Sequence, residues 1–221
     1  MRRTAARTTA RTTASPTSTA AIRATVARTT AIRATVASTG IATAAVLALA
    51  APALAGADVV RAVGEVLRYN LTTTPPPLAH VPEGATARVH SVATPEGRTI
   101  VTLHVKGFAP STAYGAHAHV KPCGAPATDP AGTAAGAHYQ HVPATPELPA
   151  THPAIGNPQN EVWLDLTTDA AGQGHSRAVV DWQFRPEEGG RSVIIHERPT
   201  STTDGSHGVA GKRVACLDVD F

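Results

Sequence analysis

The sequence predicts an all-β protein, a Greek-key β-barrel or sandwich of about eight antiparallel strands with two long functional loops. Seven or eight short stretches alternate apolar with polar residues, as strands with one buried face do. No amphipathic helix of ten or more residues is recognisable after residue 55. Because aromatic residues make up only 4% of the chain, the core is expected to consist mainly of valine, leucine, isoleucine and alanine.

The predicted strands follow one another between turn signals. A first strand or an ordered lead-in is expected at 58–70, and three prolines at 75–77 then exclude a helix or a central strand. The turn sequence TPEG at 94–97 joins the next two strands in a hairpin. Long connections at 122–157 and 199–211 are the two loops, and the first is long enough to indicate a function. The remaining strands are predicted at 86–92, 98–106, 112–120, 160–168, 176–184, 191–196 and 213–219.

The first 55 residues, 1–55, have the composition of a signal segment with a long basic n-region. They hold seven of the 19 basic residues and no acidic residue. The apolar stretch 41–54 leads into Ala53-Leu54-Ala55, which offers signal peptidase the small residues that it needs. Cleavage is expected after Ala55, or after Ala57 as the second choice, and an uncleaved membrane anchor is the alternative. The protein is therefore expected to be exported, to the cell envelope or the extracellular medium.

Residues 56–221 are expected to form one domain, with 56–85 as an N-terminal lead-in and 86–221 as the β-barrel. Without the seven N-terminal arginines, 12 basic residues stand against 16 acidic ones, a net charge of −4. The formal charge of +3 is thus a property of the signal segment. Neither a nucleic acid nor, after cleavage, a membrane is an expected partner. The sequence leaves the oligomeric state open.

The exported part holds two cysteines, Cys123 and Cys216. Two cysteines in an oxidising compartment allow one intramolecular pairing, so a Cys123–Cys216 disulfide is predicted. It would close a loop of about 93 residues, which makes it a strong constraint on the unfolded chain.

Four histidines stand out by their context. His117 and His119 are two residues apart on a predicted strand, so their side chains share one face. His138 follows small residues in AAGAH, which lets the backbone approach other groups, and His196 ends the apolar strand SVIIH. Imidazole-rich sites suit Cu(II) and Zn(II), and a four-nitrogen set suits tetragonal copper. Other histidines are interpreted as ordinary surface or strand residues, namely His80, His90, His104, His175 and His207.

The chain resembles the copper/zinc superoxide dismutases in their secreted bacterial form, over about residues 86–221. Five motifs carry the resemblance, in the order and roughly the spacing of that family. They are GAHAHVKPC (115–123), AAGAHY (134–139), TTDAAGQG (167–174), RSVIIHE (191–197) and GVAGKRVAC (208–216).

The resemblance implies an exported antioxidant enzyme that dismutates superoxide to oxygen and hydrogen peroxide by copper redox cycling. It implies that copper is bound by His117, His119, His138 and His196. His138 corresponds to the histidine that bridges copper and zinc in the two-metal members, and it would take up and return a proton. Arg213 would attract and orient the small anion, and Cys123–Cys216 corresponds to the disulfide of the family.

The zinc site of the family is not recognisable in this sequence. His141 comes too early, and the acids after His152, Glu161 and Asp165, follow nine and 13 residues later. A copper-only site is therefore favoured, with His141, His152 and Asp165 as the fallback zinc ligands. Thr200 stands where the family has an aspartate. Without zinc, the outer nitrogen of His138 needs a hydrogen-bond partner, which Glu161 or Asp165 could supply.

Two other functions remain compatible with these residues. One is a non-catalytic copper-binding or copper-carrying module on the same fold. The other is a metal-free, adhesion-like sandwich in which the histidines are incidental, and the set of four histidines in motif order argues against it. Arg213 separates the enzyme from the carrier, because a carrier does not need an arginine beside its copper.

Overall fold

The computed structural model describes residues 25–28, 57–72, 74, 77–185 and 187–221. Apart from 25–28, the predicted signal segment and its cleavage site lie outside the described residues. Helical structure within them is limited to one 3₁₀ turn, Thr133–Ala135, and none of it could cross a bilayer. The strands are β1 (Thr25–Arg28), β2 (Asp58–Glu65), β3 (Leu67–Arg68), β4 (Thr86–Ala93), β5 (Thr99–Lys106), β6 (Ala113–His119), β7 (Leu166–Thr167), β8 (Gly174–Val180), β9 (Ser192–His196) and β10 (Arg213–Asp218).

These strands form two antiparallel sheets, which confirms the predicted all-β fold. The first sheet has the order β1-β2-β4-β5-β8, and the second has the order β3-β10-β9-β6-β7. β4 and β5 form the predicted hairpin, paired from Thr86 with Lys106 to Ala93 with Thr99. The alternation in each strand decides which side chains face the other sheet.

The barrel begins N-terminal to the expected boundary at Thr86. β2 pairs with β4 along its whole length, from Asp58 with Ala93 to Glu65 with Thr86. Val60 and Ala62 on β2 are buried in the core. The boundary expected between 56–85 and 86–221 therefore falls within one sheet. The alternation at 58–65 buries one face of β2, as it does in the other strands.

The strand predicted at 160–168 is wrong for most of its length. Only Leu166–Thr167 forms a ladder, with Tyr114 and Ala113 of β6. Glu161 and Trp163 make isolated bridges instead, to Gln140 and His117. Val162 and Leu164 are buried as the alternation predicts. The alternation at 160–168 thus predicted correctly which side chains are buried. It did not predict whether the segment pairs with a neighbouring strand, because an extended segment can bury one face without such pairing.

The core between the sheets consists largely of small and branched aliphatic side chains, as the composition predicts. Val89 and Leu103 come from the first sheet, and Ala116, Ala118 and Ile195 come from the second. Since Ala116 and Ala118 point into this core, the alternating residues of β6 point to the outer side of the second sheet. The loop between β6 and β7 covers that side.

The predicted disulfide is confirmed. Cys123 begins the long loop and Cys216 lies on β10, with Cα atoms 5.9 Å apart. Cys216 is fully buried against Tyr69, Ala135 and Ile194. The backbone N–H of Cys123 also donates to Asp218 Oδ1 at 2.7 Å. The start of the loop is thus fixed to the strand that carries Arg213.

Replacing both cysteines with alanine should lower the free energy of unfolding by about 4 kcal/mol, because the disulfide restrains a long loop of the unfolded chain. The measurement is the urea midpoint of wild-type protein and of Cys123→Ala/Cys216→Ala, each with and without a reducing agent. The reducing agent should lower the midpoint of the wild type alone. An equal midpoint for wild type and variant under oxidising conditions would contradict the prediction.

Candidate metal centre

Two neighbouring strands and one loop bring four histidines together. His117 and His119 lie on β6, which pairs with β9 so that Gly115 lies opposite His196. His138 comes from the long loop and is held by a backbone bridge to His119. One ligand atom from each of the four residues lies within 4.8 Å of the others. Among the described residues this is the one group of three or more potential ligands so close together.

Hydrogen bonds fix the protonated nitrogen of two of these rings. His119 Nδ1 donates to the carbonyl of Gly136 at 3.0 Å, and His196 Nδ1 donates to the carbonyl of Gly211 at 3.2 Å. A neutral imidazole carries one proton, so each Nε2 is left with a free lone pair. Both Nε2 atoms are buried and have no hydrogen-bond partner.

His117 has the opposite arrangement. Its Nε2 lies 2.7 Å from Thr200 Oγ1, and Thr200 donates its own hydroxyl proton to Asp165 Oδ1 at 2.6 Å. The hydroxyl must therefore accept the proton of His117 Nε2. His117 Nδ1 keeps its lone pair and is the third buried nitrogen in the cluster without a partner. Asp165 is held in turn by the backbone N–H groups of Thr200 and Ala116.

Burial keeps these three rings neutral. It lowers the pKa of His117 and of His119 well below the usual value, and the neighbouring histidines lower both further. Burial likewise lowers the pKa of His196 to about 3, and the charges of His138 and Arg213 act in the same direction. Neutral rings are the form in which histidine binds a metal ion.

His138 is oriented by a buried carboxylate. Its Nδ1 donates to Glu161 Oε2 at 2.8 Å, so Nε2 is the nitrogen that remains for the cluster. Glu161 also accepts hydrogen bonds from Trp163 Nε1 at 2.8 Å and Gln140 Nε2 at 2.7 Å. The sequence left Glu161 and Asp165 as possible hydrogen-bond partners for the outer nitrogen of His138, and Glu161 is the one that binds it. Its carboxylate lies against the nitrogen that would face a second metal.

Arg213 lies next to the cluster at the start of β10, opposite His196 on β9. Its guanidinium donates to the carbonyls of Gly132 and Gly136, and the Gly136 carbonyl also accepts from His119. Gly136 has φ +73°, and a Cβ there would come within 2.8 Å of Val120. The AAGAH motif therefore needs its glycine for this shared carbonyl.

A cavity of about 300 Å³ connects the cluster to the surface. His138, His196 and Arg213 line it together with Glu161 and His207. An anion that enters the cavity therefore meets the guanidinium and the two imidazoles.

The fallback zinc ligands are not brought together. Asp165 is engaged by Thr200 and Ala116. The ring of His141 stacks on Trp182, with centroids 5.3 Å apart. His152 Nδ1 accepts the backbone N–H of Ala154 at 3.1 Å. These residues do not fit a closed four-coordinate zinc site.

Sequence reasoning missed three residues around the histidines and the role of a fourth, Thr200. The hydroxyl of Thr200 replaces the missing aspartate, and Gln140 and Trp163 hold the carboxylate of Glu161. His207, interpreted from the sequence as an ordinary residue, lines the cavity. The sequence offered two signals: Thr200 lies four residues after His196, and Gln140 lies two residues after His138 on the same extended stretch.

The four imidazoles fit a metal ion that accepts nitrogen ligands. Three buried lone pairs have no partner among the protein groups, which is rare in folded proteins. Copper and zinc both accept imidazole ligands, and four nitrogens suit tetragonal copper.

Structure comparison finds solved proteins with low sequence identity and TM-scores below 0.5. The clock protein EA4 is 22% identical with a TM-score of 0.46, over 72% of this chain and 93% of that one. The Cu/Zn superoxide dismutase from Brucella abortus is 21% identical with a TM-score of 0.43, over 71% and 98%. A double mutant of a SOD-like protein from Bacillus subtilis is 18% identical with a TM-score of 0.42, over 60% and 87%. A search of curated protein sequences gave no match.

The sequence family described as "Copper/zinc superoxide dismutase (SODC)" matches residues 85–217. This match covers more than half of the chain. It includes the strands β4–β9, all but the last residue of β10, and all four clustered histidines. The chain therefore belongs to the copper/zinc superoxide dismutase family.

Proposed function

We propose that the protein dismutates superoxide to oxygen and hydrogen peroxide with a single copper ion and no zinc. The observation that carries this proposal is the convergence of three unpartnered, buried imidazole nitrogens with His138, beside Arg213. His117 would bind through Nδ1, and His119, His138 and His196 through Nε2. Copper bound there would supply the one-electron chemistry. Two superoxide ions and two protons yield one oxygen and one hydrogen peroxide.

Arg213 is the residue proposed to attract and orient superoxide. Its guanidinium is held by two carbonyls, so its charge stays fixed at the cavity that contains His138 and His196. A fixed cation in the wall of a cavity raises the local concentration of small anions and their rate of association. Two of its donors are used by the carbonyls, and the others remain available to an oxygen atom.

His138 is the residue proposed to carry a proton to the product. Its side chain is 19% exposed, whereas Glu161 is almost completely buried. The hydrogen bond to Glu161 holds the ring in place through Nδ1. Nε2 would hold the copper ion and, when it is not bound to the metal, would be the atom that takes up a proton and delivers it to the cavity.

Zinc is excluded from the proposal by the arrangement of Glu161. In a two-metal site the outer nitrogen of His138 would be deprotonated and bound to zinc. Here that nitrogen donates to a buried carboxylate, which is itself held by Trp163 and Gln140. Glu161 thereby performs the orienting role that zinc would otherwise have.

Copper-loaded protein should remove superoxide, and Arg213→Ala should lower kcat/KM about tenfold or more because the fixed positive charge is lost. The assay is superoxide decay at several ionic strengths, with copper content measured for each sample. Arg98→Ala is the matched control, since Arg98 is an exposed arginine paired with Asp181. Inactive wild-type protein at full copper occupancy would contradict the proposal and favour the copper carrier. Equal activity of Arg213→Ala would overturn the role of Arg213.

Thr200→Val should weaken copper binding about tenfold or more, because His117 Nε2 loses its acceptor and the ring loses its fixed tautomer. Thr200→Ser keeps the hydroxyl and should bind copper as the wild type does. The measurements are copper affinity by competition with a chelator and the EPR spectrum of the Cu(II) protein. Identical spectra and affinities for Thr200→Val and wild type would show that the Thr200–Asp165 pair does not orient His117.

The metal-free protein should lose stability as the pH falls below about 6.5, the ordinary pKa of histidine. Since His117, His119 and His196 have lowered pKa values when folded, they take up protons on unfolding. Stability is therefore full above pH 6.5 and falls below it, by about 1.4 kcal/mol per pH unit for each such histidine. Urea unfolding of metal-free protein between pH 7.5 and about 4.5 tests this. A pH-independent free energy of unfolding would contradict it.

A further inference from the structure

Basic side chains are concentrated on the outer side of the first sheet, away from the histidine cluster. Residues of β2, β4, β5 and β8 alternate, so every second side chain points away from the core. The cations among these outward residues are exposed in each of the four strands. We use the name basic face for Arg61, Arg88, Lys106 and Arg177 together with His90, His104 and His175.

The strand register places these residues in two adjacent rows. One row crosses four strands, from Arg61 through His90 and Thr102 to Arg177. The neighbouring row contains Arg88, His104 and His175. With neighbouring strands about 4.8 Å apart, the first row places its two arginines about 14 Å apart along a line.

Among the described residues, the cations of the basic face have no acidic partners. No ion pair or side-chain hydrogen bond to another residue that the structure describes is formed by Arg61, Arg88, Lys106 or Arg177. Every other arginine whose side chain is described has such a partner. The partners are Glu83 for Arg68, Asp181 for Arg98, Glu188 for Arg185, Asp220 for Arg191, Glu197 for Arg198, and the carbonyls of Gly132 and Gly136 for Arg213.

The domain contains enough acidic residues to pair with these cations. Residues 56–221 contain 16 acidic and 12 basic residues. The two acids at the edge of the basic face, Glu65 and Asp169, accept backbone N–H groups instead. Glu65 accepts from Gly84, and Asp169 accepts from Ala171 and Gln173. Unpaired cations on an acidic domain indicate a surface that is complementary to a negatively charged partner.

The shape of the basic face favours an extended partner. Two cavities, of about 450 and 390 Å³, both include Val63, Arg88 and His104 and together form an open groove across the strands. Lys106 and His175 line the first cavity together with Asp169. Among the large exposed apolar side chains of the described residues, only Val63 lies on this face, so charge dominates its character.

We propose that the basic face binds a linear polyanion, a polymer with phosphate, sulfate or carboxylate groups repeated every few ångströms. The groove accepts the polymer, the unpaired arginines and Lys106 contact the anionic groups, and the exposed His104 and His175 add N–H donors. The histidine cluster lies on the outer side of the other sheet. Binding of the polymer therefore leaves its cavity open, and the proposal does not depend on the proposed enzymatic activity.

The test is the affinity of the full chain for long-chain inorganic polyphosphate, measured by fluorescence anisotropy over a range of salt concentrations. Arg88→Gln/Arg177→Gln removes two unpaired cations from the basic face. It should reduce the steepness of the plot of log affinity against log salt concentration by about 1.4. The affinity itself should fall roughly 25-fold at 0.1 M salt. Arg98→Gln/Arg191→Gln removes the same charge from two exposed ion pairs elsewhere and should bind like the wild type.

Equal loss of affinity in both double variants would overturn the proposal, because binding would then depend on net charge alone. No loss in either variant would also overturn it, because binding would then depend on other cations, such as the arginines of residues 1–55. Heparin in place of polyphosphate distinguishes sulfate and carboxylate from phosphate, and a loss specific to Arg88→Gln/Arg177→Gln with either polymer supports the proposal. Vesicles of phosphatidylglycerol test a membrane as the partner. Binding to vesicles but to neither polymer would overturn the linear polyanion. Thermal unfolding midpoints confirm that both variants are folded.

Discussion

Buried imidazole nitrogens without hydrogen-bond partners are the constraint on which the rest of the metal centre depends. Leaving a buried polar atom unpaired costs about 1–3 kcal/mol, and His117, His119 and His196 each contain one. The protein places all three together and satisfies every opposite ring nitrogen. Such an arrangement is unfavourable for the empty protein and favourable for a metal ion, so its cost is recovered only when the ion binds.

The ligands of this centre are oriented by hydrogen bonds to other side chains of the protein. The family relation alone would suggest a zinc ion and an aspartate around the copper ligands. Here Thr200 and Asp165 orient His117, while Glu161 orients His138. The hydrogen bond to Thr200 takes the place of the expected aspartate, and the hydrogen bond to Glu161 takes the place of the expected zinc ion. A carboxylate and a hydroxyl thus hold the ligands in place without a second metal, and this allows a copper-only site on the same two sheets.

The fold and the four histidines could be predicted from the sequence because their signals are local. Alternation identified the strands, and His117 and His119 share a face because they are two residues apart on one of them. The lead-in at 58–65 and the stretch at 160–168 were harder, since alternation reports burial and not the neighbouring strand. The partners of the rings could not be predicted. Thr200 and Asp165 are 35 residues apart, and only the folded loops bring them together.

The central claim is that this site is complete with copper alone, and metal content measures it most directly. Protein produced with both copper and zinc available, purified in active form and analysed by mass spectrometry of its metals, should contain one copper and no zinc per chain. Zinc in a one-to-one ratio with copper would contradict the account, because it would require His138 to give up its hydrogen bond to Glu161.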